Sequence, residues 1–357
     1  MKKPRIGVIG GGVFGTQILT AFHYAHLKGD IELVALADLS EGVLEAQKEQ
    51  FGVTGYTDYL QMFAKENLDA VAVVTPDYLH RQVVVDAANH GLHVLCQKPL
   101  DTSADGCLDM INAAKENNVL LCVDYHKRFD PGHILLRQQI ADGHLGKIMY
   151  GYACMEDKIM VPAEWFKAWA HNSSPVWFLG VHFYDLIYWL INSKPVSCHA
   201  VGSKHKLKSI GIDTYDAVQA QFRFENGAVF TVDSSWILPN SFTANVNQNI
   251  KVVGSEGIYE VDSESRGILS ALSSMPGAAT NNPYAFLNEE SKFYGSKPSG
   301  YAYNSMLYFT ELAVMLRNGK TLKELKGYYC DGEEALISVK MAQAVHRSVE
   351  SGCIETI

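Results

Sequence analysis

Gly10, Gly12 and Gly15 stand at G-x-G-x-x-G spacing directly after the apolar run of residues 6–9. Residues of this type at this spacing bind a pair of phosphates. Gly10 permits the tight turn, Gly12 lets backbone N–H groups approach the anion, and Gly15 lets the next helix sit close to its strand. Val13 and Phe14 fill the remaining positions, where the N-terminus of that helix and its dipole favour negative charge. A second apolar run, residues 31–37, ends in Asp38, near the spacing of roughly 20 residues at which an acid reaches the adenosine ribose hydroxyls. Leu39 and Ser40 follow, with no adjacent arginine or lysine to meet a 2′-phosphate, so the reading is NAD rather than NADP.

The elements that must position these residues follow from the alternation of apolar runs with amphipathic segments up to about residue 125. Strands are expected at 6–9, 31–37, 54–56, 70–75, 93–97 and 120–123, and helices at 14–27, 41–51, 80–89 and 104–116. Such alternation predicts a parallel sheet covered on both faces, with ligands beyond the carboxyl ends of its strands. Thr75-Pro76 and Gln97-Lys98-Pro99 fall at two of those ends. After Asp130-Pro131 the chain turns to long β-forming runs at 146–158, 195–205, 217–224 and 228–236, with helical patches at 133–141 and 179–191. Asn226-Gly227 joins two alternating runs as a hairpin turn, and residues 254–257 read as another. An α/β N-terminal domain over 1–125 is therefore expected to precede an α+β domain over 126–357 built on antiparallel strands. Residues 273–300, rich in Ser, Pro, Gly and Asn, read as a long surface loop able to fold over a site. Helices at 302–317 and 332–351 close the chain, the last expected to pack back on the first domain.

A net charge of −9 argues against sequence-independent binding to nucleic acid or anionic membranes. The seven cysteines, an odd and scattered set without a C-x-x-C pair, suit a reducing compartment, and no metal site is expected. Glycines break the apolar stretch behind Met1-Lys2-Lys3, so a signal peptide is not expected. Residues 176–191 come closest to membrane-spanning length but carry His182 and Asp185. The expectation is a cytoplasmic protein.

In their order and spacing, several pieces resemble the glucose-fructose oxidoreductase/inositol dehydrogenase (Gfo/Idh/MocA) family over nearly the whole chain. They are Gly10-x-Gly12-x-x-Gly15, Ala37-Asp38, Thr75-Pro76-x-x-x-His80, Gln97-Lys98-Pro99, Arg128-Phe129-Asp130-Pro131, Gly180-Val181-His182-x-x-Asp185 and Ser348-Val349-Glu350-Ser351-Gly352. The resemblance implies a Rossmann domain followed by a domain with a large open, mainly antiparallel sheet, and oxidation or reduction of a secondary alcohol on a sugar, polyol or glycoside. Because sheet faces often pack between subunits in the family, it also implies a homodimer or homotetramer. Two departures stand out. The family's usual Glu-Lys-Pro reads Gln97-Lys98-Pro99, and the position four before His182, an aspartate in many members, is Phe178. The first keeps the lysine but removes a nearby charge, and the second counts against an inositol dehydrogenase and against an Asp-His relay.

Taking hydride from a carbinol carbon requires the hydroxyl proton to leave. Lys98, at a strand end, is placed to donate to the substrate oxygen and stabilise developing alkoxide charge. His182 is the expected general base, an imidazole's ordinary pKa near 6.5 suiting proton transfer at neutral pH. Asp185, three residues on, shares its helix face, where its carboxylate can orient the imidazole, cap the helix or make an internal hydrogen bond. Thr75, Pro76, His80 and Gln97 are assigned to the cofactor, Arg128 to the cofactor or substrate edge, and His126 to the substrate pocket. Trp165, Phe178 and Trp236 are assigned as aromatic substrate contacts suited to a pyranose ring. The preferred reaction is oxidation of a glucose-like ring at C3. An inositol-type dehydrogenase, an NAD-assisted redox-neutral glycosidase and a non-catalytic sugar-sensing regulator stay open, the presence of both Lys98 and His182 counting against the last.

Overall fold

The computed structural model describes residues 2–275, 277–280 and 282–357. The chain divides into two compact units, Met1–Phe129 with Tyr284–Leu336, and Asp130–Pro283 with Ile337–Ile357.

In the first unit, β1 (Arg5–Ile9), β2 (Glu32–Ala37), β3 (Thr54–Tyr56), β4 (Ala70–Val73), β5 (His93–Cys96) and β6 (Leu121–Val123) form one sheet in the order β3-β2-β1-β4-β5-β6. Every pair is parallel. This is the doubly wound Rossmann order, and its chain reversal between β1 and β4 opens a crevice at their carboxyl ends. The connecting helices are α1 (Val13–Lys28), α2 (Glu41–Phe51), α3 (Tyr59–Lys65), α4 (His80–Asn89) and α5 (Ala104–Glu116). Side chains of Ser40, Asp58 and Ser103 accept backbone N–H groups at the starts of α2, α3 and α5, and Gly29 and Gly52 end α1 and α2 in left-handed conformation.

The segment from Tyr284 joins this first unit, where the sequence had suggested the second. Met306, Phe309 and Leu312 of the helix Tyr301–Arg317 pack into one core with Ile6, Val8, Ile18 and Phe22. Burying that apolar stripe against α1 gives the return its driving force. The expected loop over 273–300 is also partly ordered. Leu269–Ser270 pairs with Ala279–Thr280 in the second unit, and Leu287–Ser291 pairs with Gly295–Ser299 in the first. Pro276 and Asn281 of that stretch lie outside the described residues.

The second unit holds α6 (Pro131–Ala141), β7 (Ile148–Lys158), α7 (Val181–Ile191), β8 (Pro195–Ser203), β9 (Ala217–Phe224), β10 (Val229–Leu238), β11 (Val246–Gly254) and β12 (Ile258–Asp262). The sheet runs β12-β11-β7-β10-β9-β8 and ends on the two-residue strand Glu355–Thr356. Its pairs are antiparallel apart from β7 with β10. The alternation read in β9 is real: Val218, Ala220, Phe222 and Phe224 are buried and the residues between them face outward. Gly227, at positive φ, forms the β9–β10 turn. Among the described residues no helix is long and apolar enough to cross a membrane.

Candidate active site

The glycine loop leaves β1 at the crevice. Gly10 has a φ of 98°, and a side chain there would collide with the Val74 carbonyl at the end of β4. A Cβ on Gly15 would strike the carbonyl oxygen of Gly10, which explains why α1 can start so close to the loop. Gly12 differs: a Cβ there would meet nothing within 4 Å, and no side chain caps the first turn of α1 behind it. Val13 is largely exposed at that helix start, and Phe14 stacks on His126 at a centroid distance of 6.4 Å. Asp38 accepts the Gly11 N–H and the Ser40 N–H, both at 2.8 Å, which fixes its carboxylate beside the loop. Gln47 of α2 holds the loop from behind, donating to the Gly11 carbonyl at 3.0 Å and to Thr16 Oγ1 at 2.8 Å. The sequence offered no sign of that role beyond a polar residue on a buried helix face.

The ends of β4 and β5 are tied together. His80, buried, bridges the Pro99 carbonyl at 2.8 Å through Nδ1 and the Thr75 carbonyl at 2.9 Å through Nε2. The Thr75 hydroxyl is buried with no hydrogen-bond partner among the described residues. The uncapped helix start, the open space at Gly12, the fixed Asp38 carboxylate and this orphan hydroxyl all fit a dinucleotide lying across the crevice. Gln97 follows β5 directly and donates through Nε2 to Asp124 at 2.6 Å, and Lys98 is the next residue. Arg128 is paired with Glu334, within the first unit, and His126 lies between Phe14 and Tyr301, with centroid distances of 6.4 and 5.8 Å.

The second unit carries the other assigned residues. Gly180 closes a π-helical turn, Val176–Gly180, that runs into α7. A Cβ on Gly180 would press on Tyr184 Oη at 2.8 Å and Ser234 Oγ at 3.1 Å, so glycine lets the start of α7 lie close against β10. His182 and Asp185 follow on the buried side of α7. Phe178 lies in an aromatic cluster, with ring centroids 4.8 Å from Phe166, 6.1 Å from Trp169 and 5.8 Å from Trp236. Trp236 is fully buried, its rings covered by Phe166 and Phe178. Trp165 is half exposed, and its neighbours Phe166 and Trp169 make the ring contacts instead. Aromatic density was visible in the sequence, but which of the closely spaced rings turn inward depends on the irregular backbone of residues 161–172.

Comparison with known proteins matches two family models, "Oxidoreductase family, NAD-binding Rossmann fold" over residues 4–125 and "GFO/IDH/MocA C-terminal domain" over residues 133–260, together more than half of the chain. A myo-inositol 2-dehydrogenase of Thermotoga maritima is 28% identical over 258 residues, covering 71% of this chain and 73% of that protein. A D-glucoside 3-dehydrogenase of Escherichia coli is 24% identical over 249 residues, covering 66% and 70%. The fold matches the crystal structure of myo-inositol 2-dehydrogenase from Lactobacillus plantarum with a TM-score of 0.81 over 100% of both chains at 22% identity. The doubly wound first sheet, the mainly antiparallel second sheet and the two matched models agree: the chain belongs to the Gfo/Idh/MocA oxidoreductase family, with an NAD-binding Rossmann fold in its N-terminal part.

Proposed function

We propose that this protein oxidises or reduces a secondary alcohol of a sugar, glycoside or cyclic polyol with NAD, with a preference for C3 of a glucose-like ring. The observation that carries the reading is Lys98, an ammonium two residues past the end of β5, on the same strand-end edge as the glycine loop of an NAD-binding oxidoreductase fold. Gly10, Gly12, Val13, Phe14 and Gly15 hold the pyrophosphate, Asp38 the adenosine ribose, and Thr75, Pro76, His80 and Gln97 the adjoining strand ends. When bound, NAD supplies the hydride acceptor at the nicotinamide ring.

Lys98 Nζ donates to the alcohol oxygen and stabilises the alkoxide that forms as the carbinol hydrogen departs. The hydroxyl proton passes to an imidazole nitrogen of His182, with Asp185 orienting the ring. His126, Arg128 and the aromatic residues Trp165 and Phe178 are assigned to the substrate, and Trp236, expected there from sequence, instead lies fully buried behind Phe166 and Phe178. An aromatic surface at 178, where many relatives of this pattern carry an acid, favours a pyranose ring over a free inositol. The Escherichia coli D-glucoside 3-dehydrogenase supports that preference, and the Thermotoga maritima myo-inositol 2-dehydrogenase supports the inositol reading.

The protein is proposed to work in the cytoplasm as a homodimer or homotetramer, without nucleic acid or membrane partners, in keeping with its net charge of −9. NMR analysis of the products formed from methyl glucosides, glucose and inositols tests the substrate. A 3-keto glucoside is the expected product; oxidation at C1 alone, or of free inositols alone, overturns the preference.

A further inference from the structure

Asp124 carries none of the roles given above, yet it is a carboxylate only 2% exposed and hydrogen-bonded to the residue that precedes the proposed reacting lysine. It follows β6 directly, and its backbone N–H donates to the Cys96 carbonyl at 2.9 Å, so the end of β6 lies alongside the Gln97-Lys98 step that ends β5. One carboxylate oxygen accepts Gln97 Nε2 at 2.6 Å, and the other accepts Ser305 Oγ at 2.6 Å from the helix Tyr301–Arg317. Both of these donors are neutral. A carboxylate removed from water is costly unless an opposite charge balances it. Burial raises the Asp124 pKa, and the two donors and then the charge on Lys98 oppose that rise. Other charges act on the same strand end: Arg128 and Asp331 both influence the buried Cys122 thiol, and Arg128 is paired with Glu334.

We propose that Asp124 is a positioning residue for Lys98: it anchors the Gln97 side chain at the strand end and supplies the negative charge that keeps the Lys98 ammonium protonated. The acid that Gly-loop relatives of this pattern are expected to carry at 97 is then replaced by an amide donor at 97 and an acid at 124. The function rests on the oxidoreductase reading, but its test does not.

The test is competitive acetic anhydride labelling of Lys98 against pH in the full-length protein without substrate, read by mass spectrometry of its peptide. Losing an opposite charge at close range lowers a lysine pKa, so Asp124→Asn should make Lys98 about tenfold more reactive near neutral pH. The double variant Gln97→Glu/Asp124→Asn returns a carboxylate to the same step and should restore wild-type labelling. Should Asp124→Asn not fold, the double variant decides: wild-type labelling supports the role, and raised labelling overturns it. Unchanged Lys98 reactivity in folded Asp124→Asn also overturns it. A wild-type protein that oxidises no alcohol but shows the labelling shift refutes the function alone; an active one without the shift refutes Asp124 alone.

Discussion

Gly12→Ala separates binding of the cofactor from folding of the cradle. Gly12 has a φ of −65° and an extended ψ, which alanine adopts freely, and the added Cβ meets nothing within 4 Å. Alanine gains about 0.4–1 kcal/mol from the lower entropy of the unfolded chain and loses a similar amount as a poorer helix N-cap, so apo stability should change by less than about 0.5 kcal/mol. In the proposed binding mode the methyl group instead stands where backbone N–H groups meet the pyrophosphate. Hydrogen bonds to a charged group contribute roughly 1.5–3 kcal/mol each, so losing one or two weakens binding by about 1.5–6 kcal/mol, at least ~10-fold in Kd. Gly15→Ala provides the contrast: its Cβ would collide with the Gly10 carbonyl oxygen, a backbone atom that cannot rotate away. Overpacking of that kind costs about 1–3 kcal/mol and lowers both stability and affinity. Thermal melts of the apo proteins, paired with calorimetric NAD titrations, read both quantities. Gly12→Ala binding NAD within twofold of wild type, or melting as early as Gly15→Ala, would refute this account of the loop.

Two further perturbations probe the second unit. Phe178→Ala removes ring contacts to Phe166, Trp169 and Trp236, and with each aromatic pair contributing about 0.5–1.5 kcal/mol the melting temperature should drop by several degrees; an unchanged melt contradicts the cluster. His346 stacks on Trp177 at 5.0 Å and shares a 2.9 Å hydrogen bond with Ser174 Oγ, and burial holds its pKa below the ordinary 6.5. Because the folded value is the depressed one, the stability it contributes is full above about 6.5 and is lost as pH falls through the folded value. Wild type should therefore lose melting temperature more steeply than His346→Gln between about pH 7 and 5, and parallel curves would show that His346 does not titrate this way.

The first sheet was legible because each of its strands, and every connecting helix but α3, advertises itself locally. The glycine spacing, the acid after the second run and the 3.6-residue stripes at 41–51 and 104–116 appear in the fold where the sequence placed them. The β9–β10 hairpin was legible for the same reason, its Asn-Gly turn joining two alternating strands. Long-range choices were not legible. Nothing local says that the stripe of Met306 and Phe309 belongs with Phe22, or that β7 and β10, some 70 residues apart, pair in parallel. Helix α3 escaped because its seven residues are too few to establish a period. Lys98 and His182, the residues of the proposed chemistry, could be placed near the ends of β5 and α7 from sequence alone. Asp124 could not, since its proximity to Gln97 arises from pairing of β5 with β6 rather than from neighbouring residues.

The proposed reaction is alcohol oxidation by Lys98 and His182 with NAD as acceptor. Its most direct test is absorbance at the NADH band after mixing the purified protein and NAD with sugars, glycosides and inositols, alongside Lys98→Met and His182→Ala. NADH should form with one class of substrate and fall by about 10²–10⁴ in His182→Ala, and comparably in Lys98→Met, while both variants still bind NAD. NADH formation at the wild-type rate in either variant, or none from any substrate with NAD bound, would contradict the account.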